Sequence, residues 1–227
     1  PFVLKDETAM VSISVGIAVF PDNGLTISEL IKNADIAMYN AKNSGKNSYR
    51  FFNSYMEDDV NRKNDLVEIL AHVIEKNEIY LQYQPQVNVE SGLVTGFEAL
   101  MRIESELVGF ISPAEFIPIA EESGLINSLG EWALIEACNF NQVLIKSGFG
   151  PLRVSVNVST TQLKDSHLIE VIRSIPEKTG MNLEYLEIEI TESVLMNSFE
   201  HNLMLINKIK ELGCSIALDD FGTGYSS

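Results

Sequence analysis

The feature that most restricts the fold of this chain is the regular alternation of strand-like and helix-like segments over most of its length. The candidate strands are residues 79–87, 93–102, 152–159, 185–191 and 214–220. Segments with a helical apolar stripe lie between most of them. This alternation predicts an α/β fold with a mainly parallel sheet, either open or closed into a barrel. In both arrangements the loops that follow the strands carry the function.

The first 62 or so residues have a different pattern and predict a separate domain portion. Residues 11–20 predict a strand, and a helix follows in which Thr26 and Glu29 have the spacing of a capping box. Gly45 ends this helix, and the sequence then becomes polar and acidic. We therefore expect a domain portion over 1–55, a linker over 56–64 and a second domain over 65–227.

Charge and composition exclude several classes of function. The net charge is −16, with 32 acidic and 16 basic residues, so broad electrostatic binding to DNA or RNA is not expected. No apolar run approaches the roughly 18 residues of a membrane span. Cys138 and Cys214 lack metal-ligand spacing, which indicates reduced thiols of a cytoplasmic protein, with a disulfide as the alternative. An upstream membrane or sensor segment remains compatible with this sequence.

Oxygen-bearing side chains occur near the carboxyl ends of four candidate strands. Because side chains alternate between the two faces of a strand, each strand can be divided into two rows. These rows bring Glu98, Asn157, Glu189 and Asp219 toward the strand ends, with Asp220 next in sequence. If the strands are parallel neighbours, these groups converge at one end of the sheet. The alternative is that they are unrelated polar residues at ordinary strand ends.

Converging carboxylates repel one another unless a cation compensates their charge. Carboxylate and amide oxygens suit Mg²⁺ or Mn²⁺, and the sequence has no clustered thiols or histidines that would favour Zn²⁺. Two such ions activate a water molecule and stabilise charge on a phosphoryl group. Arg102, in the same row as Glu98, has forked donors suited to a phosphate. The glycines of residues 221–225 indicate a tight turn or a backbone packed close to a bound group.

Longer stretches around these positions carry a resemblance to a known family. They are YQPQV at 83–87, EALMR at 98–102, SPAEFIPIAEESGLI at 112–126, LGEWAL at 129–134, VNVSTTQL at 156–163, EITES at 189–193 and DDFGTGYSS at 219–227. Over about residues 65–227 the chain resembles the EAL family of cyclic-di-GMP phosphodiesterases. The resemblance implies a (β/α)₈ TIM-like barrel, of which about the first five strands are present here.

The resemblance also implies hydrolysis of cyclic-di-GMP to linear pGpG with two Mg²⁺ or Mn²⁺ ions. Glu98, Asn157, Glu189 and Asp219 resemble the metal ligands of the family, and Asp220 resembles the aspartate of the second metal. Of these, Glu98, Asp219 and Asp220 are the expected catalytic residues. The family's later motifs would follow Ser227. Five strands alone would leave sheet edges uncovered, so we expect this stretch by itself to fold poorly or to associate.

Three further residues are assigned by resemblance. Arg102 resembles a substrate-phosphate contact, Glu192 resembles a catalytic-site glutamate that steadies a loop, and Gln84 resembles a residue that lines the guanine side. The sequence departs from the family at Ile103, where an aromatic residue is usual, and residues 103–107 lack the usual His-Pro pair. These departures concern the guanine site and leave the metal set unchanged.

Residues 11–52 resemble the end of a GGDEF diguanylate cyclase domain, an α+β fold. The stretches that carry this resemblance are SISVGIAVFPDNG at 12–24 and ADIAMYNAKNSGKNSYRFF at 34–52. Lys42 and Lys46 occupy positions where that family contacts the phosphates of GTP. The alternative is that they are solvated charges at a helix end, where they favour the helix dipole. This segment is therefore expected to be a strand–helix remnant of such a domain.

Two functions remain open for the intact protein. The first is an active cyclic-di-GMP phosphodiesterase, which the retained metal-type residues favour. The second is a catalytically inactive GGDEF-EAL receptor that acts by binding cyclic-di-GMP or a partner protein. Homodimerisation is an expectation from the resemblance in either case.

Overall fold

The computed structural model describes residues 2–4, 7–9, 11–191 and 199–219. The chain divides into two compact units, Pro1–Leu66 and Val67–Ser227. Among the helices in these described ranges, none combines the length and apolar character that a membrane crossing needs. Each unit is described separately below.

The first unit contains two pairs of short strands and one long helix. Its elements are β1 (Phe2–Leu4), β2 (Glu7–Ala9), β3 (Val15–Ile17), α1 (Ile27–Asn43) and β4 (Tyr49–Phe51). Strands β1 and β2 pair antiparallel, whereas β3 and β4 pair parallel. The predicted capping box of α1 is present, because the Thr26 hydroxyl accepts the Glu29 N–H and the Glu29 carboxylate accepts the Thr26 N–H.

Strand β3 lies against α1 at a glycine. A Cβ atom at Gly16 would lie 1.8 Å from the carbonyl oxygen of Ala34 and 2.2 Å from the amide nitrogen of Met38. Only a residue without a side chain permits this approach of strand to helix. This close contact between strand and helix explains why the predicted strand includes Gly16.

A long helix, α2 (Ser54–His72), contains the division between the two units. Residues 56–64, which the sequence suggested as a linker, lie within this helix. Leu66, Ile69 and Leu70 are buried, in agreement with the apolar stripe of the predicted helix.

The second unit is a mixed sheet with helices. Its elements are β5 (Ile79–Val87), β6 (Val94–Ser105), β7 (Gly109–Ile111), α3 (Pro113–Ser123), α4 (Ile126–Lys146), β8 (Arg153–Asn157), α5 (Thr160–Lys164), α6 (His167–Thr179), β9 (Leu186–Thr191), α7 (Phe199–Glu211) and β10 (Ser215–Asp219). The strand order is β10-β9-β8-β6-β5, and β7 pairs with β6. Strands β6, β8, β9 and β10 are parallel, which confirms the predicted parallel α/β arrangement.

Strand β5 runs antiparallel to β6 and is joined to it by a short turn. In this turn the side-chain oxygen of Asn88 accepts the N–H groups of Glu90 and Ser91. A connection this short can join only antiparallel neighbours, since a parallel pair needs a crossover of a dozen or more residues. The amino-terminal end of β5 therefore lies at the same end of the sheet as the carboxyl ends of the parallel strands.

The segment before β5 is attached to the turn that follows β6. The buried carboxylate of Glu78 accepts hydrogen bonds from the Ser105 hydroxyl (3.0 Å) and the Glu106 N–H (2.7 Å). The Glu78 carbonyl also accepts the Glu104 N–H at 2.9 Å. These three bonds hold the start of β5 against the carboxyl end of β6.

One face of the sheet forms the hydrophobic core with helices α4 and α6. Its strand residues are Val154, Val156, Leu186, Ile188 and Ile190, each at most 3% exposed. Leu134 from α4 and Ile172 from α6 belong to the same buried cluster. Because these apolar residues occupy one face, the alternate polar residues of the same strands lie on the opposite face.

Candidate functional site

The register of the parallel strands aligns the predicted ligands on the polar face. Glu98 of β6 lies beside Ser155 of β8, and Ser155 lies beside Glu187 of β9. Two residues further on, Asn157 of β8 lies beside Glu189 of β9. Since residues two apart in a strand share a face, Glu98, Asn157 and Glu189 all lie on the same side of the sheet.

Asp219 of β10 lies on this face as well. It pairs with Thr191, two residues beyond Glu189. The structure thus brings Glu98, Asn157, Glu189 and Asp219 to one face of four adjacent parallel strands, near their carboxyl ends. Two further predicted residues, Asp220 and Glu192, lie outside the described residues.

Hydrogen bonds connect the side chains at the centre of this face. The Asn157 amide donates to Glu98 Oε1 at 2.8 Å. Gln86 of β5 donates from Nε2 to Glu189 Oε1 and to Ser155 Oγ, both at 3.4 Å. These amide donors supply partial positive charge to two of the carboxylates.

A partly buried ion pair, Arg153–Glu187, lies two residues closer to the amino-terminal end of β9 than Glu189 does. The Glu187 side chain is 11% exposed and accepts hydrogen bonds from Arg153 Nη1 at 3.0 Å and Ser155 Oγ at 3.1 Å. Arg153 is itself half exposed, so its charge is partly hydrated. A buried carboxylate needs such partners, because its charge is costly to remove from water.

Glu189 is the carboxylate whose protonation is most affected by this environment. Burial raises its pKa above the ordinary value, and a hydrogen bond with Ser155 opposes the change. The negative charges of Glu98, Asp219 and Glu187 raise the pKa further. The folded protein therefore binds a proton at Glu189 more readily than the unfolded chain does, and a cation nearby would relieve the same repulsion.

The donor set of this face is chemically suited to a divalent cation. Three carboxylates and one carboxamide present only oxygen ligands, as Mg²⁺ and Mn²⁺ prefer. Within the described residues, however, no three His, Cys, Asp or Glu side chains stand as a preformed group that could hold a metal ion. Asn157 directs its amide nitrogen to Glu98.

The raised pKa of Glu189 predicts how stability depends on pH without metal. Between the ordinary and the raised pKa the folded state binds more protons than the unfolded state, so the stability contribution of Glu189 falls as pH rises through this interval. Glu189→Gln removes this loss. With EDTA present, the melting temperature of Glu189→Gln relative to wild type should increase from acidic to neutral pH. Glu90→Gln, in an exposed turn, is the matched control; a difference for Glu189→Gln that does not change with pH would contradict the prediction.

The other predicted contacts lie on the same face along β5 and β6. Gln84 is directly opposite Glu98 in the antiparallel pair. Arg102, four residues after Glu98, is half-buried and donates from Nε to Gln82 Oε1 at 2.9 Å and from Nη1 to the Met101 carbonyl at 2.8 Å. The rows predicted for β6 thus agree with the structure, because Glu98 and Arg102 share a face.

A cleft of about 350 Å³ opens beside the predicted ligands. Asn157 and Glu189 line it together with residues from the strand ends and helices α3, α4 and α5: Met101, Ile117, Glu121, Ile126, Val158, Ser159, Thr160, Gln162 and Thr191. This cleft gives a small molecule access to two of the predicted ligand side chains.

Sequence reasoning missed three polar residues of this face. Gln82 contacts Arg102 and Gln86 contacts Glu189, which are both in the predicted set, whereas Glu187 contacts Arg153. Alternation along β5 could have found the first two, because Gln82, Gln84 and Gln86 form one row with the predicted Gln84 in the middle.

The two lysines predicted to contact phosphate, Lys42 and Lys46, lie at the end of α1. Lys42 is in the last turn of the helix, and Lys46 follows Gly45 with a positive φ of 60°. Both side chains are exposed. Their position agrees equally with favourable interaction with the helix dipole and with phosphate binding.

Comparison with protein families divides the chain as the motifs do. The family described as EAL domain matches residues 67–227, and the family described as diguanylate cyclase, GGDEF domain, matches residues 1–48. The first match covers most of the chain.

Relatives match over both segments. A signalling protein of Caulobacter vibrioides is 42% identical over 97% of this chain, and the bifunctional diguanylate cyclase/cyclic di-GMP phosphodiesterase MucR of Pseudomonas aeruginosa is 37% identical over 100%. This chain spans only 27% and 33% of their lengths. The solved structure of the PaMucR phosphodiesterase in complex with c-di-GMP has a TM-score of 0.68 and 35% identity, and the match covers 72% of this chain and 66% of that one. Through residues 67–227, the chain belongs to the EAL domain family.

Proposed function

We propose that the intact protein hydrolyses cyclic di-GMP to linear pGpG in a metal-dependent reaction. The observation that carries this proposal is the alignment of Glu98, Asn157, Glu189 and Asp219 on one face of adjacent parallel strands. The names of the MucR relative and of its solved complex support cyclic di-GMP as the substrate. The reaction consumes one water molecule and opens one phosphodiester bond of the cyclic dinucleotide.

Under this proposal, Glu98, Asn157, Glu189, Asp219 and Asp220 hold two Mg²⁺ or Mn²⁺ ions. Bound ions would supply an activated water and stabilise charge on the phosphoryl group. Support comes from the all-oxygen donor set and from the burial and mutual repulsion of carboxylates, which together raise the pKa of Glu189. Glu98 accepts a hydrogen bond from the Asn157 amide, and Glu189 accepts one from the Gln86 amide. These bonds orient the two carboxylates.

The remaining residues of the proposed site act on the substrate or on a loop. Arg102 would bind a phosphate through guanidinium donors, which suit phosphate oxygens in a forked geometry. Gln84, across from Glu98, would line the guanine side. Glu192 would steady the loop that follows β9.

Turnover in the presence and absence of metal tests the proposal. The intact protein should convert cyclic di-GMP to linear pGpG with Mg²⁺ or Mn²⁺, and excess EDTA should abolish the reaction. Chromatography of the nucleotides separates substrate from product. Binding of cyclic di-GMP with no linear product at any metal concentration would contradict the enzymatic proposal and favour a receptor.

The proposal extends to the first unit and to the cellular setting. Lys42 and Lys46 would contact a phosphate in the GGDEF portion, since both are exposed at the end of α1. Two buried free thiols, Cys138 and Cys214, favour the cytoplasm, where thiols stay reduced. Homodimerisation would follow the resemblance to the family.

A further inference from the structure

A single side chain holds the guanidinium of Arg102. Gln82 Oε1 accepts the Nε–H of Arg102 at 2.9 Å, and the Met101 carbonyl accepts an Nη1–H at 2.8 Å. A guanidinium is planar, so two hydrogen bonds at different nitrogens fix both its position and its plane. Gln82 belongs to β5 and Arg102 to β6, so this contact depends on the pairing of the two strands.

These two hydrogen bonds leave part of the Arg102 guanidinium available to bind another group. Arginine carries five N–H groups, of which two are used here. The other three, one on Nη1 and two on Nη2, have no partner in the described part of the chain. A pair of adjacent N–H groups is the arrangement that binds two oxygens of one phosphate.

Gln82 is a suitable partner for an Arg102 that binds a phosphate, because the Gln82 amide is neutral. A glutamate at this position would also accept the Nε–H, but its negative charge would offset the charge of Arg102 and repel a phosphate. An apolar residue would leave the Arg102 side chain free to adopt other rotamers, and ordering it would then reduce the affinity for the ligand.

We infer that Gln82 is a positioning residue that holds the guanidinium plane of Arg102 ready for a phosphate of the cyclic dinucleotide. The inference rests on the proposed function, because it assumes that Arg102 contacts the substrate. Gln82 acts through Arg102 and has no catalytic part of its own. The same anchoring contact serves the free and the substrate-bound protein, so its loss should weaken binding with little effect on the chemical step.

A double-mutant cycle in the intact protein tests the inference. Gln82→Met removes the acceptor and keeps the length of the side chain. It should raise the Kd for cyclic di-GMP, measured by titration calorimetry, about fivefold, which is within the effect of losing one hydrogen bond to a charged group. The kcat should change less than about twofold. In an Arg102→Ala background, Gln82→Met should have no further effect on the Kd.

Gln142→Met, at a partly exposed position of α4, is the control variant and should leave the Kd for cyclic di-GMP unchanged. An equal effect of Gln82→Met with and without Arg102 would overturn the inference, as would an unchanged Kd for Gln82→Met when Arg102→Ala weakens binding. An unchanged Kd for Arg102→Ala would instead overturn the phosphate role of Arg102. Failure of the wild type to bind cyclic di-GMP would overturn the proposed function itself.

Discussion

Replacing Glu98 with alanine should reduce the kcat for cyclic di-GMP hydrolysis by about a thousandfold or more. Glu98 is a proposed metal ligand, and the loss of several kcal/mol of charge stabilisation in the transition state corresponds to a change of roughly this size. Turnover at saturating Mg²⁺ and cyclic di-GMP, measured with the intact protein, gives the ratio directly.

The fold should survive this substitution. Glu98 is only half-buried, and its charge contributes to the raised pKa of Glu189, so its removal relieves repulsion in the metal-free protein. The melting temperature in EDTA should therefore be equal to or above that of the wild type. Glu90→Ala, in the exposed turn between β5 and β6, is the control for kcat. A Glu98→Ala protein that retains more than about a tenth of wild-type turnover would refute the metal role of Glu98.

Leu134→Ala should strongly destabilise the second unit. Leu134 has no exposed surface and lies in α4 within the core cluster that covers β8 and β9. Truncation of a buried leucine costs about 2–5 kcal/mol, because apolar contact is lost and a cavity remains. Alanine favours helices, so helix propensity does not account for the loss. Thermal unfolding should show a decrease in melting temperature of roughly 10 °C.

Leu203→Ala supplies the matched comparison. Leu203 is also in a helix, α7, but 41% of its surface is exposed. Its truncation should cost less than about 1 kcal/mol. Similar decreases in melting temperature for the two variants would show that burial in the core does not control stability at Leu134.

Alternation of side chains was sufficient to predict the face of the site. Glu98, Asn157, Glu189 and Asp219 were assigned to rows before any register was known, and the structure aligns the same rows. This worked because the period of a strand is two and each of these strands has one mainly apolar row that packs into the core, so the other rows share the opposite face. The boundaries of β5 were also predicted to the residue, since apolar and polar residues alternate along it from Leu81 to Val87.

The hydrogen bonds between side chains of different strands could not be predicted from the sequence. The hydrogen bond from Asn157 to Glu98 and that from Arg102 to Gln82 join residues on different strands, and both depend on register. Composition also gave no sign of the short strand Gly109–Ile111, which exists because it pairs with β6. Elements of three residues depend on tertiary pairing and carry too few residues for a periodic pattern.

The antiparallel direction of β5 determines at which end of the sheet the chain enters it. Because β5 starts at the end of the sheet where the parallel strands finish, the six residues that connect helix α2 to it lead to that end. Glu78, the last of them, is hydrogen-bonded to Ser105, the last residue of the strand that carries Arg102, and to Glu106, which follows it. Glu78 therefore connects the segment that precedes the sheet directly to the end of β6 on which Arg102, the proposed phosphate-binding residue, lies.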